Sequence, residues 1–337
     1  MFKYIVKRVA LSLLILVAVS LIIYFLVRLM PVDFVEQKAS MNSDPKTLEI
    51  LRESLGLSDN SFFGIIKGYF SWVKSLFQFQ DGVITLGLAF DGQKPVSGII
   101  REGIPATFIV AAVTTVFEFL IAIPLGITAA THQYSLRDYI VTILVMIGIA
   151  LPSFFFGNAF KIVFAQGGAV DTWLINWLGS ESVLYKMIDV VIFPPSGTGR
   201  LENYILPIIT VTVLSIGGRM RMTRTNMLEV LNSDYIRTAR AKGLKESKVI
   251  NKHAFRNTLI PLVTTLAGLL PALFSGAIIT EQIFGLEGVG DTALKYTNSV
   301  DIPFIMGYNM FLAILAVVGV LLADLMYAIV DPRVKLE

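Results

Sequence analysis

Residues 219 to 256 hold ten Lys/Arg against three acids, and at their centre runs Ser233-Asp234-Tyr235-Ile236-Arg237-Thr238-Ala239-Arg240-Ala241-Lys242-Gly243-Leu244. Cations at this density on a helical stretch do ion-pair chemistry with an acidic surface. Small side chains at Ala239 and Ala241 let that surface come close to the backbone. Asn232, Ser233 and Asp234 are all competent N-caps, and Gly243 is where a helix would end in a left-handed residue. Tyr235, Ile236 and Ala239 share one face, while Arg237, Arg240 and Lys242 lie largely elsewhere. After the glycine, Val249, Ile250, Ala254 and Phe255 repeat the apolar spacing until Pro261. The segment reads as two short amphipathic helices joined at Gly243, forming a docking surface. A basic segment that only sets topology or touches anionic lipid would carry the same charge.

Two acids stand inside apolar runs. Glu118 lies near the middle of one, where a charge is costly and faces a cavity or a partner; it lines a pathway or bonds to a neighbouring helix. Asp324, near the end of the last run, pairs with a basic group of the 219–256 loop or stays an interfacial charge. Lys161 and Arg219, near span ends, are expected to snorkel. Residue types argue against catalysis by this chain. There is no Cys for a thiolate, no GxxxxGK[ST] phosphate loop and no HExxH, and the two histidines, His132 and His253, sit on separate loops. No metal or cofactor site and no nucleic-acid signature is read here.

Membrane helices must position these groups. Apolar residues make up 55%, charged ones 16%, and the mean hydropathy is +0.71, far from the roughly 25% charge of soluble domains. Charge-free runs lie at Val9–Val27, Gly103–Phe117 continuing past Glu118 to Ala130, Tyr139–Phe160, Asn203–Gly218, Asn257–Thr280 and Ile302–Ala323. A span needs about 20 residues for about 30 Å of hydrocarbon. The fold class expected is an all-α polytopic membrane protein of six helices. The first lies within 1–30, followed by an external segment at 31–102. A five-helix core at 103–337 has spans at about 103–130, 139–163, 203–222, 257–280 and 302–330 around a loop at 223–256. With the N-terminus inside, the inner segments hold sixteen Lys/Arg and six acids, the outer ones eleven and seventeen, which favours both termini in the cytoplasm. The first run extends to Leu29, too long for a signal-peptide core, and reads as an uncleaved anchor. Pro124, Pro152, Pro207 and Pro271 are expected to kink their spans.

Within 31–102, helical patterns at Thr47–Leu55 and at aromatic-rich Phe62–Phe79, which includes Trp72, form either a small extracytoplasmic subdomain or interfacial helices. In a second outer loop, 166–200, Trp173 and Trp177 read as belt aromatics and Phe193-Pro194-Pro195-Ser196-Gly197 as irregular backbone. Six spans without an inverted repeat make half a pathway, so a second, related chain is expected.

Arg237-Thr238-Ala239-Arg240-Ala241-Lys242-Gly243 resembles the EAA loop of prokaryotic ABC-importer permeases, in the form of the dipeptide/oligopeptide/nickel B-type family. The resemblance spans nearly the whole chain. It includes Leu55-Gly56-Leu57, Pro95-Val96-Ser97 through Ile104-Pro105-Ala106-Thr107, Leu151-Pro152-Ser153-Phe154, Pro195-Ser196-Gly197 with Leu206-Pro207, and His253 through Pro261. It closes with Glu281-Gln282-Ile283-Phe284-Gly285-Leu286-Glu287-Gly288-Val289-Gly290 and Asp324-Leu325-Met326-Tyr327 through Asp331-Pro332-Arg333. The general motif begins with Glu and reaches its Pro sooner; this chain has Arg237 and Pro261, as the peptide-type subfamily does, and the external segment 31–94 matches least.

The resemblance implies a multi-pass permease of the prokaryotic cytoplasmic membrane, of the type I ABC-importer fold. Its partners would be a homologous second permease, two cytoplasmic ATPases and an extracytoplasmic solute-binding protein, with ATP and Mg held by the ATPases. Tyr235, Arg237, Thr238, Ala239, Arg240, Lys242, Gly243 and Leu244 would form the coupling helix, with Ala239 and Gly243 giving close packing and Arg237, Arg240 and Lys242 ion pairs. Ala239→Asp is the change expected to abolish transport while leaving the chain in the membrane. Short peptides are the cargo expected, with nickel, metallophores or oligosaccharides as alternatives. A proton-coupled secondary transporter using Glu118 is the alternative of a different class.

Overall fold

The computed structural model describes residues 2–30, 59, 61–80, 82–90, 94–180, 182, 197 and 199–330. The helical pattern Thr47–Leu55, the Leu55–Leu57 motif, residues 193–196 and the Asp331–Arg333 motif lie outside the described residues.

The chain opens with α1 (Phe2–Arg28) and α2 (Phe62–Leu76), followed by a two-stranded antiparallel hairpin of β1 (Phe79–Gln80) and β2 (Val83–Ile84). Then come α3 (Val96–Thr131), α4 (Leu136–Ala150), α5 (Ser153–Phe164), α6 (Ala169–Leu178), a 3₁₀ turn (Leu201–Tyr204) and α7 (Ile205–Leu231). The basic loop contributes α8 (Asp234–Ala241) and α9 (Glu246–Lys248), which runs through a π-helical stretch (Val249–Ala254) into α10 (Phe255–Thr264). A 3₁₀ turn (Thr265–Gly268), α11 (Leu269–Ser275), α12 (Ile278–Phe284), α13 (Val289–Asn298) and α14 (Ile302–Val330) complete it.

Among the described residues, four helical segments are long and apolar enough to cross a membrane: Val6–Arg28, Val96–Thr131, Leu201–Leu231 and Ile302–Asp324. Two further pairs qualify only when joined across a sharp bend, Leu136–Ala150 with Ser153–Phe164 at 101° and Leu269–Phe284 with Val289–Asn298 at 82°. The first bend sits at Pro152. Proline has no N–H for the ladder and drives the preceding Leu151 out of the helical region, here to ψ 130°, so a predicted kink is a full turn. The other predicted kinks differ. The 36-residue α3 runs on through Pro105 and Pro124, while Pro207 and Pro271 fall in first turns of helices, where the N–H has no intrahelical partner. Likewise Pro261 does not end the second helix of the basic loop, because it sits inside α10. The span expected at 257–280, with its kink at Pro271, is interrupted instead by the 3₁₀ turn and by Gly276 at φ +77°, where a Cβ would strike the backbone of Gly290.

α3 and α7 make the most extensive helix contact. Small residues let them approach: Gly126 lies against Thr223 and the carbonyl of Met220, and Ala122 and Ala129 are wholly buried. α7 also continues beyond Met222 to Leu231, carrying Arg224 and Glu229 within the helix.

On the other end of the molecule, α2 buries Gly64, Gly68, Trp72 and Leu76, its Ser61 cap accepting from the Gly64 N–H at 3.0 Å. Trp72 stacks on Tyr24 of α1 at 5.8 Å and joins Met306 and Met310 of α14, and Tyr69 shares a 2.7 Å hydrogen bond with Ser20. The opposite face leaves Phe62, Phe63 and Phe70 exposed. α2 is thus an amphipathic helix clamped on two membrane-length helices. Trp72→Ala should cost about 3–5 kcal/mol of local docking, seen as faster proteolysis after residue 61 with α3 and α7 still protected. Equal protease resistance would contradict this.

Candidate docking loop and intramembrane cavity

Ser233 is the residue that caps α8, with extended backbone (ψ 152°), although its hydroxyl donates to the Val230 carbonyl at 2.6 Å instead of accepting from the helix. Gly243 follows the helix at φ +72°, where no atom of this chain lies within 4 Å of a would-be Cβ, so within the chain the glycine answers a backbone need. Ile236 and Ala239 are buried with Met227, Val249, Ala254 and Ala130 in a small core that seats α8 on the ends of α3 and α7. Leu244 packs at its edge.

This placement corrects one expectation. Ala239 faces the chain's own core at 8% exposure, so it offers no close approach to a partner, and Ala239→Asp would break the loop's seat before testing any docking. Tyr235, Arg237, Thr238, Arg240, Ala241, Lys242 and Gly243 are the exposed ones. Their engagement differs. Arg240 binds Glu246 across the turn at 2.6 Å, a hydrogen bond that holds the Glu246 carboxyl below the usual range and raises the guanidinium. Arg237 lies 3.7 Å from Asp234, Tyr235 accepts from Asn257 at 3.0 Å, and Thr238 donates to the Asp234 carbonyl. Lys242 has no ion pair among the described residues.

In the apolar region, Glu118 of α3 is 8% exposed and takes the Nε of Arg219 from α7 at 2.9 Å. Arg219, expected to snorkel, turns inward instead, its guanidinium 5.0 Å from the Phe119 ring. The pair stands at one end of a cavity of about 180 Å³ between α3, α7, α11 and α12. Thr107, Thr114, Thr115 and Glu118 occupy one stripe of α3, and Val211, Ser215 and Arg219 one stripe of α7, spacings that put each set on a single helix face. The Thr115 and Ser215 hydroxyls donate to carbonyls one turn back, Ala111 and Val211, at 2.7 Å, leaving their oxygens as acceptors.

Glu281, the first residue of the 281–290 motif, organises the cavity's other end. It is 2% exposed; Thr107 donates to its Oε1 at 2.7 Å and the Asp291 N–H to its Oε2 at 2.7 Å. Thr107 in turn accepts from the Val289 N–H at 2.8 Å. Side chains on Gly288 or Gly290 would collide with the carboxylate, so the Gly288-Val289-Gly290 spacing is the space Glu281 needs. The only sequence signal was an acid followed by closely spaced glycines.

Other polar groups also find partners that spacing did not reveal. Asp138 of α4 grips Arg224 of α7 through two bonds, 2.9 and 2.8 Å, and also accepts from the Tyr134 N–H at 3.1 Å. Asp324 pairs not with the basic loop but with Arg8 of α1 at 3.1 Å. Lys161 does not snorkel; its Nζ donates to the Ile283 carbonyl at 2.7 Å and ties α5 to α12. Trp173 and Trp177 stack on each other on the open face of α6.

Residues 122–336 match the binding-protein-dependent transport system inner membrane component family, and residues 1–111 match the N-terminal family of the same membrane components. The oligopeptide transport system permease protein AppB of Bacillus subtilis (strain 168) is 33% identical over 341 residues, covering 99% of this chain and 100% of the relative. The dipeptide transport system permease protein DppB of Lactococcus lactis subsp. cremoris (strain MG1363) is 31% identical, with both chains covered in full. A chain from a structure of the MetNI methionine ABC transporter, described as inward facing, is similar at 17% identity over 70% of this chain and 98% of its own, with a TM-score of 0.49. With both family signatures falling in order along one chain of apolar helices and a basic loop, this protein belongs to the binding-protein-dependent transport system inner membrane components.

Proposed function

We propose that this chain is the permease subunit of an ATP-driven importer for di- or oligopeptides, supplying half of a translocation pathway. The observation that carries the reading is end-to-end similarity to permeases named for oligopeptide and dipeptide transport. The two bent pairs would each count as one span, making six with both termini in the cytoplasm, an orientation supported by the Lys/Arg bias. A homologous second permease, two cytoplasmic ATPases that hold ATP and Mg, and an extracytoplasmic binding protein complete the assembly.

In this reading α8 is the docking element. Its buried face seats it on α3 and α7, so a push on α8 reaches the two helices that line the cavity, while Arg237, Thr238, Ala241 and Lys242 are exposed where an acidic groove would meet them. Leu244 and Gly243 set the exit angle of the chain.

Gentle purification of the tagged chain from its native membrane, followed by mass spectrometry, tests the assembly. A second permease, Walker-type ATPases and a binding protein are expected, and recovery of the chain alone after cross-linking in the membrane would refute it. The double change Arg237→Glu with Lys242→Glu should lower cargo-driven uptake at least tenfold and release the ATPases, with the amount of chain in the membrane unchanged, since both side chains are exposed. Uptake at the parent rate would remove α8 from the docking role.

A further inference from the structure

The Glu118–Arg219 pair is incompletely satisfied. Arg219 uses only Nε on Glu118 Oε1, whereas Arg224 grips Asp138 with two nitrogens. A guanidinium has five N–H donors and a carboxylate two oxygens. Among the described residues, the terminal nitrogens of Arg219 and Oε2 of Glu118 therefore have no hydrogen-bond partner, although Glu118 is 8% exposed and both residues line the cavity. The side chains are 20% and 10% exposed, so these spare donors and the spare acceptor face the cavity, where a ligand or water can take them. The pair is also no latch between moving parts, because α3 and α7 are packed face to face through Gly126 and share the largest helix contact. The less regular wall is opposite, where the 3₁₀ turn at Thr265–Gly268 and Gly276 interrupt the helix.

The groups offered to the cavity define what fits. Glu118 Oε2 and the hydroxyl oxygens of Thr115 and Ser215 are acceptors, their own protons being engaged; the Arg219 nitrogens are donors. A ligand must present a donor and an acceptor side by side, as the N–H and C=O of a peptide main chain do. At about 30 Å³ per water, about 180 Å³ is the space of about six waters, room for a short stretch of main chain. We propose that the cavity between α3, α7 and α11–α12 is a subsite for the main chain of a peptide cargo, in which Glu118 Oε2 accepts an N–H and the terminal nitrogens of Arg219 donate to the neighbouring C=O. Recognition of this kind is indifferent to side chains. The inference rests on the peptide-importer reading.

A tripeptide carrying a diazirine, delivered by the binding protein to the assembled transporter in lipid and irradiated during ATP turnover, tests it, with labelled residues mapped by mass spectrometry. Labels should fall on Ala111, Thr115, Val211 and Ser215. Glu118→Gln and Arg219→Gln should each lower labelling at those positions at least tenfold, and Arg219→Lys, which restores a donor, should recover part of it. Labelling confined to other parts of the permease overturns the subsite, and so does labelling at these residues that survives both Gln variants. The wild-type map decides even where a variant fails to assemble. A wild-type transporter that takes up the peptide without labelling the cavity defeats this inference alone; one that takes up no peptide defeats the cargo reading and this inference with it.

Discussion

Glu281→Ala is expected to lower the stability of the folded chain by about 3–5 kcal/mol, the combined effect of a cavity and of donors stranded in an apolar surrounding. The carboxylate accepts from the Thr107 hydroxyl and from the Asp291 N–H, and the glycines at 288 and 290 bring backbone against it on the remaining sides. Without it, the bend between α12 and α13 loses its tie to α3, because Thr107 bridges the same carboxylate to the Val289 N–H. Glu281→Gln keeps the shape but leaves one amide oxygen where two carboxylate oxygens accepted, so the Thr107 hydroxyl or the Asp291 N–H loses its acceptor, and it should cost less, about 1–2 kcal/mol. Melting of the purified protein in detergent, followed by loss of the monodisperse chromatographic peak, measures both. An Ala variant that melts with the parent would show that Glu281 is not the pin of this turn.

Arg224→Met should cost about 3 kcal/mol, because it leaves the Asp138 carboxylate, 5% exposed, without its cation. The discriminating result is the cycle. With Asp138→Leu added, the stranded charge is gone and most of the loss should return, less about 1 kcal/mol for the Tyr134 N–H, which loses its acceptor. Asp138→Leu alone should be milder than Arg224→Met alone, since Arg224 keeps 27% exposure and reaches water. Additive losses in the double variant would mean that the two side chains do not act as a pair.

The elements legible in the sequence were those whose cause lies within a few residues. α8 ends before Gly243 because a left-handed residue there needs no Cβ, and its Ile236/Ala239 face follows from a 3.6-residue period. The apolar runs marked α1, α3, α7 and α14, and the aromatic pattern at 62–79 marked α2. Proline was a weaker guide. It turned the chain by 101° at Pro152 yet left α3 continuous, because the same missing N–H matters only where no neighbouring structure carries the helix on. Burial of Ala239 also escaped, since a small residue on a helix face is compatible with a partner's surface or with the chain's own.

Everything about pairing was decided by the tertiary structure. Arg219 meets Glu118 across 101 positions, Arg224 meets Asp138 across 86 and Lys161 meets the Ile283 carbonyl across 122. The sequence by itself determined that charges stood in apolar helices and needed partners, since hydrocarbon offers none. It did not determine which, because periodicity records only neighbours one helical turn away, whereas a partner a hundred residues distant is chosen by how helices pack. Close contact of α3 with α7 through Gly126, Ala122 and Ala129 put the Glu118 and Arg219 faces together, and so made a cavity wall out of two stripes far apart in the sequence.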